Sequence, residues 1–205
     1  MSLSSRALLL ASTAIAGAFA SSPIAIASDD VDGLLVDGKF TFDARLRYEH
    51  VEQDGKPEDA RAPTVRARFG FVTGKFADFQ GLIEGEAVGH MSENFDDTVN
   101  GKSATFPTVA DPEGIELNRL QVEYTGIPQT VVRVGRQRVN LDNQRFVGAV
   151  GWRQNEQTFD AALISNTSIE GLTLIYAYVD QVNRVFGKDH PLGEIDGSTH
   201  LFNAA

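Results

Sequence analysis

The sequence predicts an all-β protein, an antiparallel transmembrane β-barrel. Three observations predict it. Apolar and polar residues alternate with period two over successive stretches of about ten residues. The connections alternate between long and short, and the chain opens on an export signal. Composition narrows the class further. The 205 residues carry 18 basic and 28 acidic side chains, a net charge of −10, and no cysteine. The acidic balance argues against a nucleic-acid partner. Without cysteine there is no disulfide scaffold, thiolate metal site or cysteine nucleophile.

The elements follow in order. Residues 1–27 read as a signal peptide: Arg6 is the positive start, Ala7 to Ala20 the apolar centre, and Ala25-Ile26-Ala27 the small-residue cleavage site. The apolar stretch stops at Ser21-Ser22-Pro23, too short to serve as a transmembrane anchor. Residues 28–37 form a periplasmic N-terminal segment, and residues 38–205 the barrel domain. Lys39 to Val51 is the clearest strand, with Phe40, Phe42, Ala44, Leu46 and Tyr48 against Thr41, Asp43, Arg45, Arg47 and Glu49. Val65, Ala67, Phe69 and Phe71 repeat it opposite Arg66 and Arg68. Phe79 to Gly89 comes third, with Glu84 and Glu86 on its polar side. Residues 115–126 and 130–139 follow, carrying Arg119 and Arg133. Thr158 to Ser165, residues 172–182 and the beginning of an eighth strand at Thr199 complete the series.

The loops between them sort by length. Glu52 to Pro63, Ser92 to Gly114, Asn140 to Gln157 and Asn183 to Ser198 are long. Gly74 to Asp78, Gly126 to Gln129 and Asn166 to Gly171 are short. Outer-membrane barrels sort extracellular loops and periplasmic turns this way, whereas a soluble sandwich has no reason to. Aromatic residues near strand ends, Phe40, Phe76, Phe79, Tyr124 and Tyr178, suit an interfacial girdle.

The polar faces carry both charges. Arg45, Arg47, Arg66, Arg68, Arg119 and Arg133 accompany Glu84 and Glu86. Such groups either pair across strands and stiffen the wall, or form a charged constriction that selects permeants. Arginine suits polyanions because its planar fork matches carboxylates and stays charged. Catalysis finds no support: His50, His90, His190 and His200 form no zinc-spaced pair, and no nucleophile elbow or phosphate loop is present. No cofactor is expected. Asp96-Asp97-Thr98-Val99-Asn100-Gly101 departs from calcium-loop spacing and reads as a solvated surface loop.

The block Val134 to Gly148, VGRQRVNLDNQRFVG, continued by Gly151-Trp152-Arg153-Gln154-Asn155-Glu156-Gln157-Thr158-Phe159-Asp160-Ala161, resembles the alginate export family of outer-membrane porins. Glu116-Leu117-Asn118-Arg119 before it and His200-Leu201-Phe202-Asn203-Ala204 after it extend the resemblance to about residues 38–205. It implies a monomeric barrel of about eighteen strands. It also implies a lumen that passes an anionic or polar saccharide across the outer membrane, with membrane lipid as the other partner. Within the block a long outer loop at 140–157 can fold inward. Arg136, Arg138, Arg145 and Arg153 would supply positive charge, with Asp142 and Glu156 as counter-ions. Trp152 reads more naturally as an interfacial anchor than as a sugar platform. Seven strands and part of an eighth fall short of eighteen, so the sequence reads as the N-terminal portion of a larger wall. The rival expectation is a closed eight-stranded barrel with a structural or adhesive role.

Overall fold

A computed structural model describes residues 28–205; the expected signal peptide lies outside the described residues. A short helix, α1 (Ser28–Val36), precedes eight strands: β1 (Lys39–Val51), β2 (Ala60–Val72), β3 (Phe79–His90), β4 (Gly114–Tyr124), β5 (Thr130–Gln137), β6 (Thr158–Ile169), β7 (Leu172–Asn183) and β8 (Glu194–Ala204). They form one antiparallel sheet in sequence order, every neighbour joined by a hairpin. β1 and β8 are the two edges and do not pair with one another, which overturns the closed eight-stranded alternative for these residues.

Several boundaries differ from expectation. β2 begins at Ala60, inside the expected loop. Pro63 pairs opposite Tyr48, and its carbonyl accepts the Met91 amide at 2.9 Å. Pro63 lies opposite Met91, one residue past the end of β3, so its missing N–H interrupts only a terminal rung on that side. Ala60 and Ala62 are drawn into the strand because they pack under Phe95 and Val109 of the loop after β3. β6 runs on to Ile169, leaving only Glu170-Gly171 as the turn, with Gly171 at φ 75° supplying the left-handed position. β8 likewise starts earlier, at Glu194.

The faces are inside out relative to a soluble sheet. Phe40 is 89% exposed, Leu46 71% and Phe202 79%, whereas Arg66 is 4% exposed and Glu86 3%. Water would reverse that distribution, because charged residues are almost never buried unless paired and large apolar faces are not left open. Loops folded over the polar side account for the buried charges, and the apolar side is left open. Cross-strand aromatic pairs gather at the end with the short turns. Phe40–Phe71, Phe42–Phe69, Phe79–Tyr124 and Tyr176–Phe202 have ring centroids 4.9, 4.8, 4.6 and 5.0 Å apart. Helix α1 lies at the same end, where the Gly74 amide donates to the Leu34 carbonyl at 2.9 Å. A side chain at Gly74 would meet the Gly33 carbonyl at 2.4 Å, so the β2–β3 turn needs glycine there.

At the opposite end two long loops fold back over the polar face. Phe95, Val109 and Asp111 of the first are buried, as are Gln154, Asn155 and Glu156 of the second. The second loop has an apolar foot: Val139, with Leu141 and Val147 beside it, packs on Phe159, Ala161, Leu163, Ala177 and Val179 of β6 and β7. That covered face of β6–β7 is therefore apolar as well as the exposed one, and alternation in those strands marks the fold without marking the inside.

Candidate functional site

The site is built from strand register. Arg45 stands opposite Arg66, and Asp43 opposite Arg68. One strand further, Arg68 faces Glu86, then Glu84 faces Arg119, and Glu123 faces Arg133. The charges close into pairs: Arg66 with Asp43, Arg68 with Glu86, Arg119 with both oxygens of Glu84 at 2.9 and 2.7 Å, and Arg133 with Glu123 at 2.7 Å. Fork-shaped guanidiniums paired with carboxylates across neighbouring strands hold the wall rigid.

Two loop carboxylates add a second tier. Asp111, 1% exposed, pairs with Arg47 and accepts the Gln154 amide at 2.9 Å. Glu156 accepts from Arg138 Nε at 2.8 Å and Nη2 at 2.5 Å and from Asn118 Nδ2 at 2.8 Å, and lies 3.4 Å from Arg68. Asn118 also donates to Glu84 at 2.7 Å. Arg138 loses some basicity to burial, but the hydrogen bonds and charge of Glu156 outweigh that and raise it above its ordinary value. Burial pulls Arg153 the other way, against the smaller pull of Asp111 and Glu49.

Between wall and loop lies a cavity of about 290 Å³, lined by Arg45, Arg66, Arg68, Arg138, Asn140, Gln144, Ala149, Gly151 and Glu156. Four guanidiniums meet here. With Asp43 and Glu86 counted beside Glu156, one positive charge is left over. It belongs to Arg45, which forms no ion pair among the described residues and donates instead to Gln154 Oε1 at 2.9 Å, Gly151 O at 3.0 Å and Arg153 O. Arg66 Nε and Arg68 Nη2 are buried and without a hydrogen-bond partner among the described residues.

The structure divides the expected site residues. Arg45, Arg47, Arg66, Arg68, Glu84, Glu86, Arg119, Arg133, Arg138, Arg153 and Glu156 share the loop-covered side. Arg136 does not. β5 extends through it, so it follows Val132 and Val134 onto the other face and pairs with Asp160 at 2.8 Å. Asp142 is no counter-ion to arginine but accepts from Asn203 at 2.9 Å. Arg145 is exposed over the Phe146 ring, 5.7 Å from its centroid. Trp152 carries Arg153 and Arg47 of the polar side over its ring, 4.1 and 5.3 Å from the centroid. Asp96 and Asp97 are buried rather than solvated. They accept backbone amides of Thr98, Val99 and Asn100, and Asp96 also takes the Thr108 hydroxyl at 2.6 Å.

Sequence reasoning missed Glu49, Asp111, Asn118 and Gln154. Asn118 escapes because a register shift between Glu84 and Gly85 lets adjacent residues 118 and 119 reach the same carboxylate, which alternation forbids. Among the described residues, His50, Glu52 and Asp59 are close enough to share a cation, but all three are exposed and outside this site.

A family model described as alginate export matches residues 39–171, from the first residue of β1 through the β6–β7 turn. No curated protein matches the chain.

Proposed function

Because the chain belongs to the alginate export family, a family of outer-membrane porins and not of enzymes, we propose that it walls a passive channel for anionic or polar saccharides. The observation that carries this reading is the arginine-lined cavity under the tethered loop, where Arg45 has no carboxylate partner among the described residues. A uronate carboxylate or a sugar hydroxyl supplies acceptors of the required kind. The exposed apolar face meets lipid, and the loop-covered polar face lines the water path.

Transport down a gradient needs no bond chemistry and no cofactor. Selectivity comes from the field of the arginines and the loop at 140–157. Eight strands with two unpaired edges make a section of wall, and a bilayer tolerates no open edge. Closure by further strands, into the monomeric barrel of about eighteen that the family implies, is part of this proposal. Swelling of proteoliposomes in isotonic oligosaccharide tests it. Faster entry of an acidic trisaccharide than of a neutral one of equal size supports the reading. Equal entry of both refutes selection by the arginines, and entry of neither refutes the channel.

A further inference from the structure

We propose that Trp152 is a carbohydrate-stacking platform, placed where a pyranose ring can lie on the indole while its carboxylate meets Arg153 and Arg47. The inference rests on the saccharide-channel reading and adds a residue and a mode of contact to it. Its first support is exposure. Trp152 stands 58% exposed on the polar side of the sheet, away from the apolar face. A large ring left open to water has given up the burial that would normally stabilise it.

The second support is rigidity. Arg45 grips the carbonyls on both sides of Trp152, Gly151 O at 3.0 Å and Arg153 O. The Arg153 amide closes onto Val150 O at 3.0 Å, and the Gln154 amide onto buried Asp111 at 2.9 Å. An exposed ring on an unconstrained loop would sweep through many orientations; this one is carried on a segment pinned to the wall. Fixed supports of this kind preorganise a contact surface.

The third is the company it keeps. Arg153 lies over the ring 4.1 Å from its centroid and Arg47 5.3 Å, both guanidiniums converge on Glu49, and the part of the indole they leave exposed is the surface a sugar can meet. An indole face is electron-rich and attracts polarised C–H bonds as it does cations. A pyranose offers such a C–H face, and a uronic pyranose adds a carboxylate at its edge. Gly151, the preceding residue, lines the arginine cavity, so a chain held at Trp152 is delivered to it.

Trp152 is the sole tryptophan of this sequence. The test uses the protein purified from outer membranes, in planar bilayers, with two probes: a uronic-acid hexamer and a neutral glucan hexamer. Trp152→Ala should raise the half-blocking concentration of both hexamers about tenfold over wild type, the scale of one lost aromatic contact. Trp152→Phe should keep most of the block. Where the alanine variant fails to fold, Trp152→Leu replaces it, keeping bulk but not the π face. Equal block of the wild type and the alanine or leucine variant overturns the stacking role while leaving the channel reading intact. A wild-type channel blocked by neither hexamer overturns the channel reading, and the platform with it.

Discussion

Replacing Glu156 by glutamine should loosen the loop from the wall without changing its shape. Glu156 is 5% exposed and its two oxygens serve three donors within 2.8 Å, with Arg68 at 3.4 Å. An amide keeps one carbonyl, which can still serve Asn118 and one Arg138 nitrogen. Its NH2 then faces Arg138 Nε, so that charge-assisted bond is lost, worth roughly 1.5–3 kcal/mol. The attraction to Arg68 and Arg138 is lost too, partly offset because no carboxylate has to be desolvated. A net of about 3 kcal/mol falls at the low end for breaking a buried pair, and corresponds to on the order of a hundredfold in the fraction of detached loop. Single-channel recording reads this directly. Glu156→Gln should flicker between the wild-type conductance and a larger level, and its reversal potential should move toward greater anion preference. Open-channel noise and reversal potential both unchanged would mean that Glu156 does not hold the loop.

Other perturbations separate the wall from the loop. Leu120→Arg puts a charge near the middle of β4 on the apolar face, where Leu120 is 50% exposed. It should cost about 2–4 kcal/mol, read as a lower urea midpoint for folding into vesicles; Gln121→Arg, on the opposite face, should cost far less. The raised Arg138 also fixes a pH response. A cation whose folded value is raised stabilises fully below its unfolded value and loses that contribution only as pH rises through the folded one. Both lie above the range of bilayer assays, so Arg138 should hold the loop undiminished from neutral pH to about pH 10. Flicker that begins as pH is raised across that interval would contradict the assignment.

Much of the wall was legible as period-two alternation, and its least legible parts have definable causes. Pro63 masked the start of β2 because a proline reads as a break, although here it falls one residue past the end of β3 and interrupts only a terminal rung. Arg136 was misplaced because it was grouped with the charges of the loop at 140–157, although its place in β5 puts it on the face of Val132 and Val134. β6 and β7 are apolar on both faces, since the loop supplies Val139, Leu141 and Val147 as a second covering, so period two could not say which side was inside. Asp111 and Gln154 sit in loops whose composition resembles solvent-exposed segments. Only their docking against Arg47, Arg45 and Thr64 makes them part of the site. The arginines themselves were readable because strand alternation fixes their face once one of them is fixed.

The central claim is that one sheet face meets lipid and the other lines an aqueous path. Gln121 and Val122 are neighbours in β4 on opposite faces, Val122 51% exposed on the apolar one. The sequence contains no cysteine, so each can be replaced singly by cysteine. The direct measurement is channel current during exposure to a charged, membrane-impermeant thiol reagent. The predicted result is a stepwise change in current for Gln121→Cys and none for Val122→Cys. Modification of Val122→Cys with a change in current, while Gln121→Cys stays silent, would place the lumen on the wrong face and contradict the account.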